Sequence, residues 1–145
     1  MSIRNMKSQT QLTCKIISTL LWLGIIIMCY IPSWGGFSNG YDFTSPYFHY
    51  YTGNMFTVST SVGSIHYMLC WAIVACSIIS VITVWTGVKA AMFFTSLFQA
   101  ITITLNYWIV DSNFCSQIYE LGLIQFILTW VTFSFAALLF SQKSN

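Results

Sequence analysis

The chain has 145 residues, of which 57% are hydrophobic and only 6% are charged. Soluble domains carry about 25% charged residues, so five basic and three acidic side chains could not cover the surface of a water-soluble globule of this size. This composition excludes a soluble enzyme, a disordered chain and a nucleic-acid-binding protein with a basic face, and it indicates an integral membrane protein.

Four continuous apolar stretches predict four membrane-spanning helices, because a helix needs about 20 apolar residues to cross the hydrocarbon core. We expect spans over residues 12–31, 67–84, 90–110 and 121–140, within one domain from residue 1 to 145. Continuous rather than alternating apolar runs favour helices over a β-barrel. The predicted fold is therefore all-α, an integral membrane four-helix bundle. The first stretch also resembles a signal peptide, but no small-residue cleavage site follows it, so we expect a retained span.

The charged residues predict how the spans cross the membrane. The basic residues lie before or at the start of span one, between spans two and three, and after span four: Arg4, Lys7, Lys15, Lys89 and Lys143. The acidic residues lie in the other two connections: Asp42, Asp111 and Glu120. Because basic residues stay on the cytoplasmic side, we expect both termini to be cytoplasmic.

The outer loop over residues 32–66 is long for a segment without structure, and it is rich in aromatic residues. Either it forms a folded lid or partner-binding surface, or its aromatic side chains form a belt at the level of the lipid headgroups. The candidate partner surface comprises Trp34, Phe37, Tyr41, Tyr47, Tyr50 and Tyr51. Within the loop, the β-prone composition of residues 56–60 predicts a strand.

The connection between spans two and three is only five residues long, from Trp85 to Lys89. A connection this short predicts an antiparallel helical hairpin. Gly87 is the expected residue in the left-handed conformation that ends the first of the two helices.

Small and polar residues recur every three or four positions in spans two to four, which places each set on one helix face. The polar members are Ser80 and Thr83 in span two, Thr95, Gln99, Thr102 and Asn106 in span three, and Gln125, Thr129 and Thr132 in span four. Such faces hold membrane helices together, and their near-heptad period predicts a left-handed bundle. Alternatively, Gln99, Asn106 and Gln125 line a polar pathway.

The sequence offers little catalytic or metal-binding chemistry. His49 and His66 are far apart in sequence and have no nearby acidic or thiol ligand, so we expect no metal site and no cofactor. No phosphate-binding loop and no nucleophile with an adjacent base are present, and we expect no enzymatic activity. Cys115 either pairs with Cys29 or Cys70 or stays a free thiol.

Cys14 adjoins Lys15 at the predicted inner membrane surface. Such a position is typical of S-palmitoylation, although a small apolar residue would serve equally well there.

The four-pass layout, with a long first and a short second outer loop, resembles that of MARVEL-domain and claudin-like proteins. The segment Trp34-Gly35-Gly36-Phe37 partly matches the claudin signature, but the first outer loop lacks its two cysteines. The resemblance to MARVEL proteins implies vesicle trafficking or membrane contacts. We therefore expect a membrane organiser or accessory subunit, whose partners are the lipid bilayer and other membrane proteins or further copies of the chain. The alternative is a small oligomeric channel or transporter component.

Overall fold

The computed structural model describes residues 3–38, 49–112 and 116–141, with side chains described from residue 8 onward. These ranges contain the helices α1 (Ile3–Tyr30), α2 (Met55–Val62), α3 (Ser64–Thr86), α4 (Lys89–Ser112) and α5 (Glu120–Ser141). They also contain the strands β1 (Gly35–Ser38), β2 (Tyr50–Gly53) and β3 (Ser116–Ile118). Helices α1, from Ser8 onward, α3, α4 and α5 are long and apolar enough to cross a membrane, which confirms four such helices by length and composition.

The four long helices pack as a closed ring in which α1 and α4 each contact both α3 and α5. Large side chains such as Trp22 in α1 and Ile73 in α3 are fully buried inside this ring. In contrast, apolar side chains on the outside of every long helix are more than half exposed: Leu20, Met68, Phe94 and Ile127. The bundle is therefore apolar on its outer surface as well as in its core, which is compatible with an integral membrane protein.

One end of the bundle, here called the hairpin end, is formed by the turn between α3 and α4. Gly87 has φ of 80°, in the left-handed region, and donates its backbone N–H to the carbonyl of Thr83 at 3.0 Å. Lys89 then begins α4. The predicted helical hairpin and the role of Gly87 at its turn are confirmed.

The other end, here called the sheet end, carries a small antiparallel sheet that the all-α expectation lacked. Its strand order is β2-β1-β3. The central strand β1 and the edge strand β2 come from the segment between α1 and α2, and the other edge strand, β3, comes from the segment between α4 and α5. Gly35 pairs with Gly53 on one side and with Ile118 on the other. A Cβ atom on Gly35 would lie 2.6 Å from the carbonyl oxygen of Gln117, so the close approach of β3 requires glycine there.

The predicted strand over residues 56–60 is wrong, because this segment forms α2. The side chain of Asn54 caps the helix by accepting the backbone N–H of Thr57 at 2.9 Å. Met55, Val58 and Ser59 recur at helical spacing and are fully buried. Capping and burial of one helix face therefore outweigh the β propensity of the individual residues.

Candidate interhelical polar site

Gln125 in α5 joins three parts of the chain through one fully buried amide. Its Oε1 accepts a hydrogen bond from the indole Nε1 of Trp34 at 2.7 Å. Its Nε2 donates to the backbone carbonyl of Ile25 and to Sγ of Cys29, each at 3.1 Å. The amide therefore connects α5 with α1 and with the segment that leads into β1.

Gln99 makes the corresponding connection between α4 and α3. Its side chain is 1% exposed, and its Nε2 donates to the backbone carbonyl of Ile73 at 2.9 Å. The same nitrogen also donates to the hydroxyl of Ser77, one turn further along α3. Because the carbonyl of Ile73 belongs to another helix, this hydrogen bond holds the two backbones in register.

Asn106, two turns further along α4, contacts the short helix at the sheet end. Its Nδ2 donates to the hydroxyl of Ser59 in α2 at 3.1 Å. Both residues are fully buried, and Oδ1 of Asn106 has no hydrogen-bond partner among the described residues. The hydrogen bonds recorded for the amides of Gln99, Asn106 and Gln125 thus lead to three different elements and not to one another.

The buried threonines of the predicted faces behave differently from the amides. Thr102, Thr129 and Thr132 are at most 3% exposed. Each hydroxyl donates to a backbone carbonyl one turn earlier in its own helix, at 2.7, 2.7 and 2.6 Å respectively. These three residues fill the interior without hydrogen bonds to other helices. Among the described members of the predicted faces, the amides are the ones that bond to other elements.

The remaining members of the predicted faces are placed less uniformly. Thr95 and Thr83 are partly exposed, whereas Ser80 is fully buried and its hydroxyl has no partner among the described residues. Ser77 and Ser59, which receive the amide hydrogen bonds, were not among the sequence candidates. Ser77 follows Ile73 by one helical turn and therefore lies on the same buried face of α3.

The candidate partner surface of the outer loop divides into buried and exposed members. Trp34 is only 1% exposed, and its indole N–H donates a hydrogen bond to Gln125 inside the bundle. Its assignment to a partner surface is therefore wrong. Phe37 is partly buried and stacks on Tyr51 with ring centroids 5.4 Å apart. Tyr41 and Tyr47 lie outside the described residues.

Tyr50 and Tyr51 in β2 are the exposed members, at 46% and 45%. The hydroxyl of Tyr50 donates to Oε1 of Gln117 at 3.3 Å and accepts from the hydroxyl of Tyr119 at 3.1 Å. Partial burial and the neighbouring Tyr119 hydroxyl raise the pKa of Tyr50 to about 12. Gly36 leaves room for both hydroxyls, since a Cβ atom there would collide with them. The sheet therefore presents an aromatic surface held by hydrogen bonds.

The cysteines show no special chemistry in the described part of the chain. Cys14 is 7% exposed, and its burial favours the packing role over lipidation, which needs an accessible sulfur. Cys29 and Cys70 are buried free thiols, and Cys115 lies outside the described residues. Over the described ranges, no three histidine, cysteine or acidic side chains are grouped so that they could hold a metal ion.

No protein-family model, no curated protein and no solved structure matches the sequence or the fold. The two distinctive features of the described residues are the three buried amides and the exposed aromatic surface of the sheet.

Proposed function

We propose that the protein is a non-catalytic, multi-pass integral membrane protein that organises the membrane or serves as an accessory subunit of a membrane complex. The observation that carries this proposal is the use of the buried amides. Gln99 and Gln125 both donate to backbone carbonyls of neighbouring helices. Polar side chains used in this way hold helices together, which supports a structural role for them over a polar pathway.

In this proposal the four long helices cross the bilayer as a left-handed bundle, and both termini lie in the cytoplasm. The distribution of basic residues supports that orientation, since Lys15 and Lys89 are near the hairpin end and the acidic Asp111 and Glu120 are near the sheet end. The sheet then lies on the outer side of the membrane. The resemblance of this layout to that of MARVEL-domain proteins supports a role in trafficking or membrane contacts.

The exposed aromatic surface of the sheet is the proposed contact with a partner protein. Aromatic side chains are enriched at protein interfaces because they bury a large area with few rotatable bonds. Tyr51 is the central candidate, because its ring stacks on Phe37 and is held in place while nearly half of it stays exposed.

Cross-linking in native membranes tests this contact. Tyr51→Ser removes the exposed ring, and we expect it to abolish cross-links that the wild-type protein forms with its partner. Tyr67→Ser is the matched control, because Tyr67 has a similar exposure of 43% but lies on α3 beside Trp71. Equal loss of cross-links in both variants, or in neither, would contradict a partner contact at the sheet.

A channel or transporter component is the second candidate function. It is favoured by the buried Oδ1 of Asn106, which has no partner among the described residues and could bind a permeating species. Purified protein in liposomes separates the two candidates. An organiser passes no ion or small solute, and Gln99→Leu only weakens its assembly. A channel passes a solute, and the same substitution alters its selectivity.

A further inference from the structure

A cavity of about 300 Å³ opens at the hairpin end, between α1, the turn after α3, the start of α4 and the end of α5. One part of its lining is polar and basic, formed by Gln11, Lys15 and Lys89. The other part is apolar, formed by Val84, Met92 and Leu139. Such a volume is within the range of small-ligand sites, and this division of the lining suits an amphiphilic molecule.

The charge of the cavity favours an anion. Lys15 and Lys89 both line the cavity, and both are partly buried. Its described lining includes no acidic side chain. The acidic residues that the structure describes are Asp111 at the end of α4 and Glu120 at the start of α5, and both lie at the sheet end, away from the cavity.

We infer that this cavity binds a phosphate group, with its charge between the two lysines and an attached apolar chain against the wall of Val84, Met92 and Leu139. Lysine is a common phosphate ligand, and basic pockets between membrane helices accept lipid headgroups. A phospholipid with a net negative charge has both the phosphate and the apolar chain. The inference concerns a surface that the proposed partner contact at the sheet does not use, and it holds whether the protein is an organiser or a channel.

Native mass spectrometry of the delipidated full-length protein in mild detergent tests the inference. We expect one phosphatidylglycerol to bind with a clear preference over phosphatidylcholine, and we expect higher salt to weaken this binding. Lys15→Gln and Lys89→Gln should each weaken it about fivefold, which corresponds to about 1 kcal/mol per basic residue. Lys7→Gln removes the same charge from α1 two turns earlier and should have a smaller effect.

A second arm identifies the source of the phosphate. Inorganic phosphate alone should compete weakly, because it cannot contact the apolar wall. If inorganic phosphate saturates the site and phosphatidylglycerol adds nothing, the assignment to a lipid is overturned. Both lipids carry a phosphate, but only phosphatidylglycerol has a net negative charge, so their equal binding by the wild-type protein would overturn the inference that the two lysines select an anionic lipid. This result needs no variant to fold. Lys15→Arg and Lys89→Arg keep the charge and should retain binding.

Discussion

The amide of Gln125 offers the sharpest test of how the bundle is held together. Gln125→Leu keeps the approximate size of the side chain but removes its hydrogen bonds to Trp34, Ile25 and Cys29. The indole N–H of Trp34 then stays buried without an acceptor, since Trp34 is only 1% exposed. We expect this orphaned donor to dominate the loss of stability.

The expected size of the loss follows from these contacts. An unpaired buried donor costs about 1–3 kcal/mol. A lost hydrogen bond between membrane helices, here the one to Ile25, costs about 0.6 kcal/mol on average. The free energy of unfolding should therefore fall by roughly 1.5–3.5 kcal/mol, a roughly 10- to 400-fold shift in the unfolding equilibrium.

Reversible unfolding in mixed micelles with increasing dodecyl sulfate, followed by circular dichroism, measures this change. Thr129→Val is the matched control, because Thr129 is also buried in α5 but its hydroxyl bonds only within that helix. Its loss should cost at most about 1 kcal/mol. Trp34→Phe should cost less in the Gln125→Leu background than in the wild type, because the indole hydrogen bond is already absent there.

Two results would refute this reasoning. One is a Gln125→Leu protein as stable as the Thr129→Val control. The other is strict additivity of Gln125→Leu and Trp34→Phe, which would mean that the hydrogen bond between them contributes nothing measurable.

Three further predictions concern the turn, the cap and the sheet. Gly87→Ala should destabilise the protein by about 1–2 kcal/mol, because alanine is strained at φ of 80°. Gly24→Ala in the interior of α1 should instead stabilise the protein, and thermal unfolding of the two variants tests this contrast. Asn54→Ala should cost α2 about 1 kcal/mol and speed its hydrogen exchange. The pKa of Tyr50 is raised to about 12, so its contribution to stability is complete below about pH 10 and is lost as the pH rises toward 12. Tyr50→Phe should remove this loss of stability at alkaline pH, which unfolding followed by ultraviolet absorbance measures.

The long helices could be predicted from the sequence because the apolar runs and the single glycine turn are strong signals. The predicted spans lie almost wholly inside the observed helices, which extend one to nine residues beyond them at seven of the eight ends. On α5 the predicted polar positions Gln125, Thr129 and Thr132 are all buried. On α3 the predicted Ser80 is buried and the predicted Thr83 is partly exposed, while the buried face also includes Ile73 and Ser77. Small residues on α3 occur on more than one face, so they do not by themselves define the packed side.

The sheet and the place of Trp34 could not be predicted, because both depend on contacts between distant parts of the chain. Strand β3 has only three residues and pairs with a strand more than 70 positions earlier. Trp34 is buried, and its indole N–H donates a hydrogen bond to Gln125, 91 positions away. Local composition correctly marked the first connection as unusual, but it could not distinguish an aromatic side chain that packs inward from one that stays exposed, such as Tyr51.

The central claim is that the protein acts through its surfaces, as an organiser or accessory subunit. The most direct measurement is extraction of the native protein in mild detergent, followed by its mass on a native gel and identification of whatever migrates with it. The account predicts a defined complex with at least one other membrane protein, which Tyr51→Ser disrupts. A complex made only of copies of this chain, together with solute flux in liposomes, would contradict it.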